Sequence, residues 1–336
     1  MLVSVTRRAM GCEFEIIGCG SDERLLEDAA NSALDEVERL DQLLSSYIEW
    51  SHLNWVNAHA ANPPVGGPVG GPVAVDPDLF ALLRLAKQLH RDTSGAFDVT
   101  VGALVECWRH YAEELKVLPP PAALEEARQR VGLQLVELDE DERTVRFLRE
   151  GVEIDLGGIG KGYAIDRAAA LLRSVGVEAA SLHAGRSSIY ALGAPPGEEG
   201  WGVGLLDPLD PEKRCGSVTL RDRSLSTSGQ ANRFFELDGR RYGHILDPRT
   251  GWPVDELWSA AALGPSAALC DGLSTAFLVM GIEATRHYCA RRDNVEAILI
   301  PPIHRPEGPK APTALGEDLN IIRFGTDHEG GSTDGR

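Results

Sequence analysis

The feature that most constrains this chain is a glycine-rich segment, residues 153–166, with four glycines between positions 157 and 162. Apolar and acidic residues alternate over 152–155 as in a β-strand, and the pattern after Tyr163 is helical up to Gly176. Glycines let the backbone approach a ligand closely, and the first N–H groups of a helix have no partner within it. The segment therefore predicts an anion-binding turn; the alternative is a tight strand-to-helix turn without a ligand.

Two familiar phosphate motifs do not fit this segment. A P-loop requires glycine where the chain has Asp155, and Ser or Thr after Lys161, where the chain has Gly162. A dinucleotide-binding fingerprint would require glycine at position 163, which is tyrosine. The segment thus indicates a phosphate-like ligand without naming it.

The charge balance of the chain excludes one broad class of partner. It has 336 residues, with 33 basic and 51 acidic side chains and a net charge of −18. Proteins that bind nucleic acid or anionic membranes in general present basic surface to phosphate, so neither partner is expected. The six cysteines are scattered without a C-x-x-C pair, which favours buried thiols over a zinc site or a disulfide framework.

Targeting signals are not evident in the sequence. No apolar stretch approaches the ~20 residues of a membrane span, so no membrane-spanning segment is expected. The first ten residues contain two arginines with no apolar run after them, unlike a signal peptide. We therefore expect a cytoplasmic protein, or a periplasmic or membrane-anchored one if the native N-terminus was trimmed.

The order of the predicted elements favours an α+β fold. Paired strands precede a helix that Ser21-Asp22 caps, and a second helix begins at Asp76. Residues 1–302 are predicted to form a single domain with a loop insertion at about 62–73. Residues 303–336 are predicted to be a C-terminal extension, with disorder from 326 onward.

Two further clusters carry side chains suited to chemistry. Asp271 and Thr275 lie four residues apart on a predicted helix, a spacing that lets two oxygen ligands converge on a hard cation such as Mg²⁺. Exposure to solvent is the commoner fate of such a pair. The segment 242–251 follows an Asp-Gly hairpin turn and is dense in groups that ionise or form hydrogen bonds.

Several of these segments together resemble the FAD:protein FMN transferase (ApbE) family. They occur in the family's order and cover about residues 9–300. The matching pieces are Met10-Gly11; Leu44-Ser45-Ser46-Tyr47 with Ser51, Leu53 and Asn57; residues 94–101; residues 155–166; Thr227-Ser228-Gly229; residues 244–251; and Asp271 with Ser274-Thr275-Ala276.

The resemblance implies a bacterial-type enzyme that binds FAD and Mg²⁺. Such an enzyme cleaves FAD and attaches FMN, through a phosphoester, to a Thr or Ser of an acceptor flavoprotein, such as a subunit of a redox complex, with release of AMP. The implied fold is α+β, with antiparallel sheets and flanking helices in a duplicated, T-fold-like arrangement. The implied cation ligands are Asp271, Thr275 and the backbone carbonyl of Gly160. Neither the acceptor nor the oligomeric state follows from the resemblance.

The resemblance also implies roles for individual side chains. Lys161 would help to hold the phosphates, His244 would be the base for the acceptor hydroxyl, and Asp247 would support His244. For His244, flavin contact or a purely structural role is the alternative; for Met10 and Tyr47, expected beside the flavin ring, it is core packing. The remaining positions implied to contact FAD are Ala96, Phe97, Asp98, Thr100, Asp155, Gly158, Tyr163, Asp166, Ser228, Ile245 and Thr250.

The chain departs from the family pattern at three places. Cys12 replaces the usual Thr after Met-Gly, and Gln230-Ala231 replaces an acidic residue and an aromatic. Arg186-Ser187-Ser188 stands where the family usually has Gly-Gly-Asp or Gly-Gly-Asn, which removes two glycines and adds a cation. Two alternatives to transfer therefore stay open: an FAD-binding carrier or regulator that has lost transfer, and an FAD pyrophosphatase that yields FMN and AMP.

Overall fold

The structure of the protein is a computed structural model that describes residues 1–61, 71–208, 210, 212–230, 234–237, 239–302 and 321–325. Its centre is an eight-stranded sheet in which every neighbouring pair is antiparallel. In spatial order the strands are β1 (Leu2–Ala9), β2 (Cys12–Cys19), β6 (Ala179–Ala184), β7 (Ser188–Leu192), β10 (Arg223–Gly229), β13 (Ser259–Gly264), β14 (Glu296–Ile300) and β15 (Ile322–Phe324).

Long helices cover one face of this sheet and bury the main core. They are α1 (Glu23–Leu44), α2 (His52–Ala61), α3 (Pro77–Asp92), α6 (Gly160–Ser174) and α7 (Ala267–Cys289). Asp22 caps α1 as predicted, since its carboxylate accepts the Leu25 N–H at 3.0 Å. The apolar stripe of α1 is buried against the sheet, because leucine and alanine recur at helical spacing.

The opposite face of the sheet is covered by a hairpin of β8 (Trp201–Leu206) and β9 (Arg214–Leu220). A three-stranded sheet has the order β3 (Val73–Ala74), β5 (Thr144–Phe147) and β4 (Val136–Asp139), and a 3₁₀ turn at Leu133–Leu135 precedes β4.

A smaller lobe has its own apolar cluster. It combines α4 (Gly102–Trp108), a π-helical turn (Arg109–Glu114), α5 (Pro121–Arg128) and the hairpin of β11 (Phe234–Leu237) and β12 (Arg240–Gly243). Trp108 is the largest fully buried side chain of this lobe. The α+β class with antiparallel sheets and flanking helices is thus confirmed, while the internal duplication stays a prediction.

The predicted strand before the glycines does not form. Residues 152–155 are extended and alternate between buried and exposed, but they lie outside every sheet. The side-chain amide of Asn57 takes the place of a neighbouring strand. Its Nδ2 donates to the Ile154 carbonyl and its Oδ1 accepts the Ile154 N–H, both at 2.9 Å. Pattern alone reported the extended backbone correctly but could not identify a side chain as its partner.

The predicted loop insertion and C-terminal extension also differ in part from the structure. Val73, placed in the loop insertion, pairs with Val145 in the small sheet, and residues 62–70 lie outside the described residues. The predicted C-terminal extension supplies β15, where Glu296 of β14 forms ion pairs with both Arg223 and Arg323 at 2.6 Å. The disorder predicted from 326 onward falls outside the described residues.

Helix α7 is long and apolar enough to cross a membrane by length and composition alone, contrary to the expectation that no such stretch exists. Of its most apolar window, 67% is buried inside the protein, as in the core helix of a globular domain. Its backbone is also interrupted at Gly281, with φ of 73°, so it consists of two helical pieces joined at a kink.

Candidate functional site

The glycine-rich turn and α7 meet at a backbone-to-backbone contact. A Cβ atom on Gly162 would lie 2.2 Å from the Ala267 carbonyl oxygen, so only glycine allows this approach. The Gly162 N–H donates to Asp271 Oδ2 at 3.0 Å. Two segments more than a hundred residues apart in sequence are thus joined where the motif predicted an anion site.

Asp166 fixes this crossing one turn further along α6. Its carboxylate accepts the Ala267 N–H at 2.7 Å, the Ala268 N–H at 2.9 Å and the Ser266 hydroxyl at 2.7 Å. The two N–H groups are unpaired donors of the first turn of α7, and Ser266 is its N-cap residue, so Asp166 completes the capping of that helix from a neighbouring one. Burial raises the pKa of Asp166, whereas these three hydrogen bonds act to lower it. Its predicted contact with FAD stays a prediction.

The Asp271 carboxylate lies at the centre of the site and is almost fully buried. Its Oδ1 accepts the Ser188 hydroxyl at 3.0 Å, and its Oδ2 lies 3.7 Å from Lys161 Nζ. Lys161 also donates to the Gly157 carbonyl at 3.2 Å, which holds the ammonium group over the turn. The predicted phosphate ligand Lys161 and the predicted metal ligand Asp271 are therefore neighbours.

Hydroxyl groups extend the polar surface beyond Asp271. Ser228 Oγ lies 2.8 Å from Ser274 Oγ and 3.0 Å from Thr275 Oγ1. Gly158 faces this cluster, because a Cβ built on it would lie 3.6 Å from Thr275 Oγ1. Asp271 and Thr275 of α7 and Ser228 of β10 thus come together in the structure, while their roles as metal ligands and FAD contact stay predictions.

The donor set at this point fits a hard cation. One carboxylate and one hydroxyl one helical turn apart suit Mg²⁺, which usually keeps waters and takes substrate phosphates as further ligands. In the described part of the chain, no group of three or more His, Cys, Asp or Glu side chains could hold a metal ion, so a cation here would depend on hydroxyl, carbonyl, water or phosphate oxygens besides Asp271. Gly160 is the first residue of α6 and is buried; the ligand role of its carbonyl stays a prediction.

The glycine-rich turn is shaped by its own acidic residue. Asp155 Oδ1 accepts the Gly157 N–H at 2.7 Å, which closes a local turn before the helix. The Asp155 N–H donates to the Val99 carbonyl at 2.7 Å. The turn is therefore tied to residues 94–101, the neighbouring segment of the predicted FAD site.

Residues 93–100 form a largely buried loop with hydrogen bonds both within it and to neighbouring segments. Asp98 Oδ1 accepts the Thr100 hydroxyl at 2.6 Å, and Asp98 Oδ2 lies 3.0 Å from His90 Nδ1. The hydrogen bond from His90 to Asp98 raises the pKa of His90, against the opposing effect of burial. Ala96 and Phe97 are buried as well, and Phe97 packs on Gly158. These contacts position the turn; direct contact of the loop with FAD stays a prediction.

Three predicted FAD-binding side chains occupy different environments. Tyr47 is 94% exposed just beyond α1, so core packing is excluded for it. Met10 is half-buried in the two-residue turn between β1 and β2, with φ of 49°, and its N–H donates to Asp41 at 2.9 Å. The Tyr163 hydroxyl donates to Asp78 at 2.7 Å, within a network of ion pairs between α1, α3 and α6.

His244 lies directly after β12, at the end of the hairpin that the Asp-Gly pair predicted. Three residues further along the chain, the Asp247 carboxylate forms a bidentate ion pair with the Arg249 guanidinium group, at 2.9 and 3.0 Å. The Asp247 carbonyl accepts the N–H groups of Thr250 and Gly251, so residues 247–251 form a tight turn. Ile245 accepts the Val254 N–H at 3.0 Å, while Thr250 is exposed. Support of His244 by Asp247 stays a prediction.

The role of Trp108, which lies beside the segment that carries His244, was not predicted from the sequence. Its indole N–H donates to the Gly251 carbonyl at 2.8 Å, and its ring packs against Phe235, Tyr242 and Trp252 with centroids 5.4 to 6.1 Å apart. These partners precede and follow His244 in the chain. The only signal in the sequence is an aromatic residue in a helical pattern, which is ordinary core composition.

The residues that depart from the family pattern surround the same centre. Ser188 keeps a hydrogen bond to Asp271 in the absence of a carboxylate or amide side chain. Cys12 lies beside Gly185, whose built Cβ would be 3.3 Å from Cys12 Cβ, and burial raises the pKa of the Cys12 thiol. Gln230 donates to the Leu257 carbonyl at 2.6 Å and is buried.

The fold and this site define a class of protein, an α+β domain in which a glycine-rich turn meets an oxygen-lined helix face. The sequence profile of the ApbE family matches residues 10–299, and the chain belongs to that family.

Similar proteins agree with this assignment. The FAD:protein FMN transferase of Treponema pallidum is 33% identical over 294 residues, which cover 82% of this chain and 78% of that protein. A Klebsiella pneumoniae protein of the same name is 33% identical over 279 residues, covering 82% of each chain. The crystal structure of the ApbE protein from Thermotoga maritima superposes with a TM-score of 0.80 at 29% identity, covering 96% of this chain and 97% of the other.

Proposed function

We propose that the chain is an FAD:protein FMN transferase that requires Mg²⁺. The observation that carries the proposal is the environment of Asp271. The residue is held by Gly162 of the glycine-rich turn, lies opposite Lys161 and sits one helical turn from Thr275. Membership of a family whose named relatives are FAD:protein FMN transferases supports it.

The glycine-rich turn and the neighbouring residues of α7 would bind FAD and Mg²⁺. Lys161 would hold the pyrophosphate of FAD through its ammonium group and its backbone N–H, because both present positive charge in a partly buried setting at the start of α6. Asp271, Thr275 and the Gly160 carbonyl would hold Mg²⁺, which neutralises charge on the transferring phosphoryl group when bound. Met10 and Tyr47 would flank the flavin ring.

The transfer half belongs to His244. An acceptor Ser or Thr oxygen forms a bond to the phosphorus of the FMN half, and the bond from that phosphorus to the oxygen bridging to AMP breaks. His244 takes the proton of the acceptor hydroxyl, and AMP leaves with the bridging oxygen. The products are FMN joined to the acceptor by a phosphoester and free AMP.

The test is incubation of the protein with FAD, Mg²⁺ and a candidate acceptor flavoprotein, read by mass spectrometry of the acceptor and by release of AMP. Covalent FMN and AMP in equal amounts are expected. Free FMN and AMP formed without acceptor would instead indicate an FAD pyrophosphatase, and FAD that binds but stays intact would indicate a carrier.

The metal assignment has its own variant. Asp271→Asn removes the charged oxygen ligand while preserving volume, so the dependence of the rate on Mg²⁺ should be lost together with most of the rate. Glu283→Gln is the matched control, because it makes the same change at an exposed position of α7. An unchanged Mg²⁺ titration in Asp271→Asn contradicts the assignment.

A further inference from the structure

The turn between β6 and β7 is fixed on both sides of Arg186. The Gly185 N–H donates to the Glu13 carbonyl at 2.7 Å, and the Ser187 carbonyl accepts the Thr227 N–H, also at 2.7 Å. Ser188 donates to Asp271 at 3.0 Å. The backbone that carries Arg186 is therefore held in place by strands β2 and β10 and by Asp271 of the site.

Two neighbours of this turn, Thr227 and Cys12, lie next to the proposed cation and phosphate site. Thr227 immediately precedes Ser228, whose hydroxyl contacts Thr275. Gly185 lies beside Cys12, and the electrostatic influence of Lys161 and Asp271 reaches the Cys12 thiol. Arg186 thus lies at the rim of this site.

Arg186 differs from Arg173 of α6 and Arg223 of β10, both of which have partners within the protein. It is exposed, and within the described residues it forms no hydrogen bond or ion pair. By contrast, Arg173 pairs with Asp222, and Arg223 pairs with Glu296. The guanidinium group of Arg186 is consequently available to a ligand.

Charge at the site makes this availability significant. Lys161 and Asp271 form an ion pair at 3.7 Å and largely cancel. In a chain of net charge −18, an anionic substrate needs a local excess of positive charge, and Arg186 supplies one.

We propose that Arg186 is a phosphate-binding residue that recognises the diphosphate of the flavin nucleotide. This inference rests on the proposed function and deepens it. A guanidinium group presents paired donors that match two phosphate oxygens, so it gives orientation as well as attraction. The Arg-Ser-Ser turn then exchanges the close backbone approach that two glycines allow for a side-chain contact with the same anion.

The test is direct titration of FAD by fluorescence quenching in the presence of Mg²⁺, without acceptor. Loss of a charged hydrogen-bonding group predicts about ten- to hundredfold weaker binding in Arg186→Gln. Arg186→Lys keeps the charge but not the paired donors, and its dissociation constant should lie between those of the native protein and Arg186→Gln. The affinity of Arg186→Gln should also depend less on salt concentration.

Arg221→Gln is the matched control. Arg221 is an exposed arginine in the turn at the opposite end of β10 from Ser228, so the same change in net charge occurs away from the site. Its FAD affinity and salt dependence should equal those of the native protein.

The outcomes separate the inference from the proposed function. If the native protein binds FAD and Arg186→Gln binds it equally well, Arg186 is not a phosphate ligand. A variant that keeps its FAD affinity but has a raised KM for the acceptor shows that Arg186 meets the acceptor instead, which also overturns the inference. A native protein that does not bind FAD overturns the proposed function and the inference with it.

Discussion

The two halves of the site are held together by different forces. Where α6 crosses α7, polar contacts dominate: Gly162 donates to Asp271, and Asp166 caps the neighbouring helix with three hydrogen bonds. The arm that carries His244 is instead a short hairpin whose contacts to the smaller lobe are largely aromatic, centred on Trp108. Under the proposed function, binding of the phosphates and positioning of His244 would therefore depend on separate parts of the chain.

This difference has a physical basis. Hydrogen bonds and a backbone-to-backbone contact fix positions within a few tenths of an ångström, which a cation and a pyrophosphate require. Aromatic packing is strong but less directional, and it holds the hairpin as a unit. Variants should accordingly separate a loss of substrate binding from a loss of turnover.

The largest effect is expected for Gly162→Ala at the helix crossing. The added Cβ would meet backbone atoms of Ala267 and Ala268 within 2.2 to 2.7 Å, so α6 must move away from α7. Overpacking of this kind typically costs about 1–3 kcal/mol, and the displaced Gly162 N–H would no longer meet Asp271. FAD binding and transfer should both fall at least about a hundredfold, measured by titration and by AMP release.

Gly160→Ala is the stability control for this variant. It lies in the same helical turn, but its built Cβ would be 3.8 Å from the nearest atom, Cβ of Leu156. Thermal melting should show a clear drop for Gly162→Ala and almost none for Gly160→Ala. Equal melting temperatures in the two variants would show that the crossing is looser than the contact distance indicates.

A smaller and more selective effect is expected for Trp108→Phe. Phenylalanine keeps much of the ring packing but cannot donate to the Gly251 carbonyl. We expect a stability loss of about 1–3 kcal/mol and a fall in kcat of about tenfold or more, with the KM for FAD almost unchanged. Steady-state kinetics with FAD and acceptor varied in turn would measure this division.

Trp201→Phe provides a chemical match on the far face of the sheet. The Trp201 indole N–H also donates to a backbone carbonyl, that of Leu192 at 3.2 Å, but in the cluster under β8 and β9. It should lose stability while keeping native kcat. If Trp108→Phe also keeps native kcat, the aromatic cluster does not position His244.

The sequence predicted the polar half of the site better than the aromatic half. Glycine spacing, Lys161 and the Asp271–Thr275 pair are local patterns with a direct chemical meaning, and the structure brings them together as expected. Asn57 and Trp108 act through tertiary contacts with residues about a hundred positions away or more, so no local pattern could reveal their partners. The mistaken strand at 152–155 has the same origin, because alternation reports burial and not the identity of the pairing group.

For Asp98 and Thr100, the sequence identified the residues themselves but not the distant segment that they bind. The family resemblance placed them near the nucleotide, and the structure adds a buried network in which Thr100 accepts the Gly132 N–H and Asp98 accepts the Leu133 N–H. Sequence spacing identified an acid and a hydroxyl two residues apart, but the loop they organise lies more than thirty positions away. The loop at 93–100 itself touches both halves of the site, because Phe97 packs on Gly158 and Gly95 lies beside Arg249.

The smallest predicted effect concerns that bridging loop and pH. The pKa of His90 is raised above its ordinary value of 6.5, chiefly by its hydrogen bond to Asp98. The stabilisation is therefore complete below pH 6.5 and is lost as the pH rises through the raised pKa of the folded state. His90→Asn keeps a donor for Asp98 but cannot titrate. Urea denaturation between about pH 5.5 and 8.5 should give a difference in unfolding free energy, native minus variant, that declines with pH by about 1 kcal/mol or less.

His287→Asn is the control, since it removes an exposed histidine of α7 that contacts only its own helix in the described structure. The difference in unfolding free energy between the native protein and His287→Asn should not change over the same pH range. A flat difference for His90→Asn as well would mean that the loop between the two halves gains no stability from a charged His90. A decline in the affinity for FAD that follows the same curve would instead assign the loop to the binding half, because Phe97 would then transmit the change to Gly158.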